Sequence, residues 1–153
     1  MQKACRTPGF LFLRKCIFGS KTMDNKSYYT ALGQLVYAVA MADGSVQTEE
    51  RAKIFHFVIS QLVEIGEETQ NGSQVLEAFY MEKEFHRLKD ESASMETAYD
   101  MFIGFLEENR NDFDEVRKKT CVEVMEKVAA AYNGIEEPER KLIDRVKARI
   151  ENI

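Results

Sequence analysis

The amino-acid sequence predicts an all-α protein, a compact bundle of about six to seven helices in which two similar helical hairpins flank two central helices. After Met23, apolar residues recur at intervals of three and four, and no segment shows a convincing strand-like alternation. A length of 153 residues fits one domain with an adequate core. A loop pattern that occurs twice predicts the paired hairpins.

The two copies of this loop are AMADGSVQTEER, residues 40–51, and AYNGIEEPER, residues 131–140. In each copy an apolar helical stretch runs into Asp or Asn followed by Gly and then an aliphatic residue. Glu-Arg follows four residues after the aliphatic one. With one residue deleted after the second glycine, the aligned pairs are Asp43 and Asn133, Gly44 and Gly134, Val46 and Ile135, Glu50 and Glu139, Arg51 and Arg140, Ile54 and Ile143. We therefore expect two hairpins of one design, related by a pseudo-two-fold axis.

Helices one to three are predicted from apolar spacing and from their end signals. Helix one runs from about Lys26 to Ala42, and Gly44 stops it. Helix two begins at Thr48 as an N-cap and ends at Gly66, a residue type common after a helix C-terminus. Its wide apolar face predicts a central position. Helix three follows a polar link and covers residues 73 to about 89.

Helices four to six are predicted in the same way. Residues 94–108 show apolar positions at clear 3.6 spacing, which defines helix four. Asp112 offers an N-cap for helix five, with Glu115 completing a capping box. Pro138 fits the first position of helix six, where its missing N–H is harmless. Helix five continues to the second loop through the apolar residues Val116, Cys121, Val124, Met125, Val128 and Tyr132.

Residues 1–22 differ from the rest of the chain in charge. They contain five basic residues and no acidic one, whereas the remainder contains 16 basic and 26 acidic residues. The apolar stretch from Gly9 to Leu13 is cut by Arg14-Lys15, which does not fit a secretory signal peptide. We expect residues 1–22 to be a basic N-terminal extension, or a weak surface anchor, of an all-helical domain over residues 23–153, with Met23 as a candidate start.

The composition excludes several classes of function. An acidic body disfavours nucleic acid and suits cations or a basic protein partner. No apolar run approaches the roughly 18 residues of a membrane span. Cys5, Cys16 and Cys121 show no metal-finger spacing, so we expect a reducing cytoplasm and no disulfide framework. Nucleophile-elbow, P-loop and GxGxxG motifs are absent from the sequence, and we expect no enzyme.

The string LGQLVYAVAMADGSVQTEERAKI resembles the signature of the TerB family of tellurite-resistance proteins, A-x-x-D-G-x-h-x-x-x-E between two helices. The N-terminal helical domain of the DnaJ-like co-chaperone DjlA shares this pattern. The resemblance implies a mostly helical, cytoplasmic bacterial domain associated with stress resistance, with metal-binding acids and no established catalysis. The positions carried over are Asp43 and Glu50, with Glu49 adjacent. In the second loop Asn133 replaces an acid and Glu139 is retained.

Two interpretations of the loops stay open. Asp-Gly and Asn-Gly are ordinary turn sequences, and acids in the first turn of a helix are favoured by its dipole without any ligand. Alternatively, Asp43, Glu49 and Glu50 supply oxygens to a divalent cation of the Ca²⁺ or Mg²⁺ class, with Asn133 and Glu139 as a weaker second set. Neither loop has the alternate acids of an EF-hand.

Two functions follow from these interpretations. The first is a TerB-like stress-response module that binds a divalent cation and engages protein partners. The alternative is a protein-interaction module, similar to the co-chaperone domain, whose loops are purely structural. We expect protein partners and no nucleic acid, and we leave open a homodimer and peripheral membrane association through a protein complex. His56, and His86 with Glu82 four residues before it, are expected to be ordinary helix-face residues.

Overall fold

The computed structural model describes residues 23–44, 73–131 and 134–153. These residues form five α-helices and no strand, which confirms the all-α class for the described part of the chain. The helices are α1 (Asn25–Ala40), α2 (Ser73–Asp90), α3 (Met95–Glu108), α4 (Glu115–Ala130) and α5 (Glu137–Glu151). The predicted helix from Thr48 to Gly66 and the N-terminal extension lie outside the described residues. Within the described ranges, no helix is long and apolar enough to cross a membrane.

Helix α1 is the most enclosed of the five. Every residue from Ala31 to Ala40 is buried, and α1 contacts each of the other four helices. A helix that is apolar around its whole circumference belongs in the interior of a protein. The helix for which a wide apolar face predicted a central position, Thr48 to Gly66, lies outside the described residues; among the described helices, α1 is the central one.

Three of the helices run in the same direction. Lys26 Nζ lies 5.7 Å from the centre of the Tyr80 ring, and the Tyr37 ring packs edge-on against Phe85 at 5.4 Å between ring centres. Residue numbers therefore increase together along α1 and α2. Helix α4 begins beside the start of α1 as well, because the Tyr28 hydroxyl of α1 donates to the carbonyl oxygen of Arg117 in α4.

Hydrogen bonds join the first turn of α4 to the start of α1 and to the residues that follow α5. The Tyr28 hydroxyl donates to the carbonyl oxygen of Arg117 at 3.3 Å, and Lys118 Nζ donates to the carbonyl oxygen of Ile153, which follows α5, at 3.2 Å. Helix α5 thus runs back along α4. We call the end at which α1, α2 and α4 begin the Met23 end, and the end at which α1 and α4 finish the Gly44 end.

The N-cap of α4 is Asp114, not Asp112 as the sequence pattern predicted. Asp114 Oδ1 accepts from the backbone N–H of Arg117 at 2.8 Å, so the capping box between Asp112 and Glu115 is not formed. Asp112 Oδ2 instead accepts from the backbone N–H of Met23 at 3.0 Å. This bond ties the residues before α1 to the loop before α4.

Helix α2 ends in a Schellman motif whose left-handed residue is a serine. The N–H of Ala93 donates to the carbonyl oxygen of Leu88 at 2.9 Å, and the N–H of Ser92 to that of Lys89 at 3.0 Å. Ser92 has a φ of 51°. A side chain at this φ brings Cβ close to the following carbonyl oxygen, and glycine avoids that contact.

We expect Ser92→Gly to raise the free energy of unfolding by about 0.5 kcal/mol, because the relief of this strain exceeds the entropy that glycine adds to the unfolded chain. Urea denaturation measures the change. The matched control is Ser94→Gly, which removes an N-cap hydrogen bond to the N–H of Thr97 at 3.1 Å and should not stabilise the protein. Equal changes in both variants would contradict the assignment of strain to Ser92.

Candidate functional site at the two glycine loops

The first loop begins where α1 ends. Residues 41–44 form a turn in which the N–H of Gly44 donates to the carbonyl oxygen of Met41 at 3.0 Å. Gly44 has a φ of 79° and Gly134, its counterpart in the second loop, a φ of 92°. Both values lie in the region that favours glycine. The prediction that the two glycines serve as turn residues is therefore confirmed, and the exposed side chain of Asp43 directly precedes the first turn glycine.

The second loop leads into α5. The helix starts at Glu137, with Glu136 as its N-cap residue, so Pro138 occupies the second helical position and not the first. Glu139 is the third residue of the helix and is only partly exposed. Its Oε2 accepts from the backbone N–H of Glu136 at 3.0 Å. This hydrogen bond fixes the Glu139 carboxylate at the helix start.

The two loops act on each other electrostatically. The pKa of Glu139 is raised, chiefly because burial disfavours its charged form. The hydrogen bond from Glu136 lowers this pKa, whereas the negative charges of Asp43 and Glu136 raise it further. Asp43 follows the end of α1 and Glu139 lies in the first turn of α5, so this electrostatic effect puts the end of α1 on the same side of the bundle as the start of α5.

This arrangement can take up positive charge. Two carboxylates that repel each other beside partly buried surface are stabilised by a proton or by a cation with oxygen ligands. Of the predicted set, Asp43 and Glu139 lie within the described residues and interact electrostatically, while Glu49, Glu50 and Asn133 lie outside the described residues. Among the residues that the structure describes, no group of three or more His, Cys, Asp or Glu side chains could hold a metal ion.

The other residues considered from the sequence lie away from these loops. His86 Nε2 is 3.7 Å from Glu82 Oε1, and both side chains are about half exposed on α2. Cys121 is buried in the core, and burial raises the pKa of its thiol to about 12. A thiol that stays protonated is neither a good nucleophile nor a good metal ligand. His56 lies outside the described residues.

The sequence reasoning missed three exposed apolar side chains in the first turns of α2 and α4. Val116, the first apolar residue of the predicted helix five, is 73% exposed. Leu76 and Phe79 on α2 are 53% and 52% exposed. Counting 3.6 residues per turn from the buried Val124 and Val128 puts Val116 off the inward face of α4, so the helix phase was the signal that could have found it.

No protein-family model, no curated protein and no solved structure matches the chain. The fold defines a class only in its coarse form, since the described residues form five α-helices and no strand. Membership of the TerB family remains a prediction from the residues of the first loop.

Proposed function

We propose that this protein is a non-enzymatic, TerB-like stress-response module of the bacterial cytoplasm whose two glycine loops bind one divalent cation of the Ca²⁺ or Mg²⁺ class. The observation that supports the proposal is the interaction between Asp43 and Glu139, which come from two copies of one loop design. The finer architecture, six or seven helices with two hairpins around two central helices, belongs to the same proposal.

The chemistry of the loops suits a hard cation. Carboxylate oxygens are the preferred ligands of Ca²⁺ and Mg²⁺, and loop carbonyl groups and waters commonly complete the shell. In this proposal Asp43 and Glu139 are the ligands within the described residues, and Glu49, Glu50 and Asn133 are the candidates for further ligands. Two carboxylates alone bind weakly, so we expect an affinity suited to sensing at high ion concentration. Bound cation would hold the loops together and change the surface offered to a protein partner.

Addition of Ca²⁺, Mg²⁺, Mn²⁺ or Zn²⁺ is expected to raise the thermal midpoint of the wild-type protein, because a ligand that binds the native state stabilises it. At an ion concentration about ten times the dissociation constant the gain is about 1.4 kcal/mol. Asp43→Ala should abolish the gain and Glu139→Gln should reduce it. A thermal-shift titration of the three proteins provides the measurement.

Glu108→Gln is the control for this titration. Glu108 is exposed at the end of α3, and its neighbour Glu107 pairs with Arg149 near the end of α5, so it lies at the Met23 end, far from Glu139. This variant should keep the full response. The cation proposal is wrong if no ion at millimolar concentration shifts the wild-type midpoint, or if Asp43→Ala responds as strongly as the wild type.

A second candidate function is a pure protein-interaction module whose loops are structural. The exposed side chains of Leu76, Phe79 and Val116 favour it, because large apolar side chains left in water are available to a protein partner. The acidic body suits a basic protein partner and not a nucleic acid. A second copy of the chain, or a protein complex at a membrane, would use the same side chains.

A further inference from the structure

Met23 is held by its side chain and by its backbone nitrogen, just before α1 begins. The side chain is buried and belongs to the core cluster. The backbone N–H donates to Asp112 Oδ2, in the loop before α4, at 3.0 Å. Asp24 follows as the N-cap of α1 and accepts from the N–H of Ser27 at 2.7 Å. The nitrogen atom of Met23 therefore has a fixed position against a carboxylate.

The Asp112 carboxylate forms no ion pair among the described residues. Arg117 on α4 lies close by, but its Nη1 donates to the carbonyl oxygen of Asp112 at 2.9 Å and pairs with Asp114 Oδ2 at 3.6 Å. Asp112 is also only partly exposed to solvent. A partly buried carboxylate is stabilised more by a donor that carries positive charge than by a neutral peptide N–H. The contact with Met23 therefore suits a charged donor better than the one that the full chain supplies.

A chain that begins at Met23 would place a positive charge at this position. The ordinary pKa of an α-amino group is about 7.7–8.0, so below neutral pH such a chain carries an ammonium group where the full chain has a peptide N–H. Hydrogen bonds between ionised groups are roughly twice as strong as neutral ones. The 3.0 Å between Met23 N and Asp112 Oδ2 is within the range of such a bond. The same two atoms would then form an ion pair.

The sequence changes in charge at the same residue. Residues 1–22 contain five basic residues and no acid, whereas residues 23–153 contain 16 basic and 26 acidic residues. Methionine is the residue with which translation starts, and the cap of α1 follows Met23 directly. A chain that begins at Met23 has a formal side-chain charge of −10, against −5 for the full chain. The two forms would differ in their attraction to charged partners.

We infer that Asp112 is the binding site for the N-terminal ammonium group of a shorter form of this protein that begins at Met23. In this form the ammonium group and the Asp112 carboxylate make an ion pair that joins the start of α1 to the loop before α4. The shorter form is therefore more stable than the full chain at the pH values at which its amino group is charged. This inference does not rest on cation binding at the Gly44 end.

The test generates the new N-terminus in the full chain after it has folded. Gly19→Ile, Ser20→Glu, Lys21→Gly and Thr22→Arg place the recognition sequence of the protease factor Xa directly before Met23, and the released segment is removed after cleavage. We expect cleavage to raise the thermal midpoint by about 3–6 °C at about pH 6.5. Pairing with a carboxylate raises the pKa of the amino group in the folded protein. The gain is therefore fully present below the ordinary pKa and is lost as the pH rises through the folded-state value, so it should be absent at about pH 10.

The comparison of cut and uncut protein isolates the new ammonium group. The other charged groups near this contact, in sequence or in space, are the same in both forms: Asp24, Arg110, Asp114, Glu115, Arg117 and Lys118. Any effect of residues 1–22 that does not depend on the amino group changes the midpoint equally at both pH values. The difference between the gains at the two pH values is therefore the decisive quantity.

Asp112→Asn in the same background removes the charge and keeps an oxygen acceptor for the Met23 nitrogen, so cleavage should then bring no gain at either pH. Glu108→Gln is the matched control, because it removes another acid at the Met23 end, one that is exposed at the end of α3. This variant should keep the full gain. The inference is overturned if cleavage does not raise the midpoint at about pH 6.5, if the gain is the same at both pH values, or if Asp112→Asn retains it.

Discussion

Gly33→Ala is expected to lower the free energy of unfolding by about 2 kcal/mol, although alanine is the better helix former by about 1 kcal/mol. A Cβ on Gly33 would lie 2.7 Å from the carbonyl oxygen of Met81, 3.2 Å from its Cα and 3.1 Å from Cβ of Glu84. Two of these atoms are backbone atoms and cannot rotate away. Helix α2 would have to move off α1 and lose packing along the interface.

Gly104→Ala on α3 provides the matched control. Gly104 also lies within a helix, but among the described residues nothing beyond its own helix lies within 4 Å of the position that a Cβ would take. Here only the helix propensity changes, so we expect a gain of about 0.5–1 kcal/mol. Urea denaturation of both variants separates close helix approach from propensity. A Gly33→Ala protein as stable as the wild type would show that α1 and α2 can move apart without a loss in the free energy of unfolding.

Arg87→Met is expected to cost about 2 kcal/mol at neutral pH, because it leaves a largely buried carboxylate without its cation. Glu84 is 8% exposed. Its carboxylate accepts from Arg87 Nε at 2.8 Å and Nη2 at 2.7 Å, and from Gln34 Nε2 at 2.9 Å. The hydrogen bonds from Arg87 lower the pKa of Glu84, against the opposing effect of burial.

The pH dependence of stability distinguishes this charge effect from lost packing. In the wild type the lowered pKa of Glu84 makes it a source of stability above its unfolded-state pKa, and this contribution is lost as the pH falls through the folded-state value. Without Arg87, burial raises the pKa of Glu84. The contribution of Glu84 to the free energy of unfolding then changes with pH in the opposite direction and is lost as the pH rises. The difference in free energy of unfolding between the wild type and Arg87→Met should therefore be largest near neutral pH and become smaller in acid.

The control for this pair is Arg145→Met. Arg145 also makes two hydrogen bonds to one carboxylate, to Glu96 Oε1 at 2.7 Å and Oε2 at 3.0 Å, and it lies 4.1 Å from the centre of the Tyr99 ring. Glu96 is exposed, so solvent screens the pair and we expect a smaller loss than for Arg87→Met. If the loss in Arg87→Met were the same at all pH values, packing of the arginine stem would explain it.

Local sequence signals predicted the positions of the helices along the chain well, but they predicted the contacts between helices poorly. Apolar spacing located α3 to within one residue, and the structure shows that Ser94, the first predicted residue, is its N-cap. The start of α4 was missed because Asp112 and Asp114 are both good caps, and the choice depends on Met23, which lies 89 residues from Asp112. The local sequence pattern around Asp112 and Asp114 contains no information about a hydrogen bond to a residue so far away in the chain.

The candidate site was predictable to a similar extent. The repeated loop identified Gly44 and Gly134 as turn residues, because the requirement for positive φ is local. The approach of Asp43 to Glu139 follows from the shared direction of α1 and α4, which no spacing rule contains. The buried Glu84 was missed for the same reason, since a glutamate on a helix ordinarily indicates a solvated surface.

The enclosed position of α1 has a consequence for the synthesis of the chain. The hydrogen bonds from Met23 to Asp112 and from Tyr28 to Arg117 each close a span of 89 residues, so the entropy of loop closure is lost before α1 gains its cover. At about 5–20 residues per second, the ribosome needs roughly 5–20 s to make this span. During that interval α4 is not yet available to pack against the apolar side chains of Ala31–Ala40. We expect nascent-chain chaperones to protect this exposed surface from aggregation.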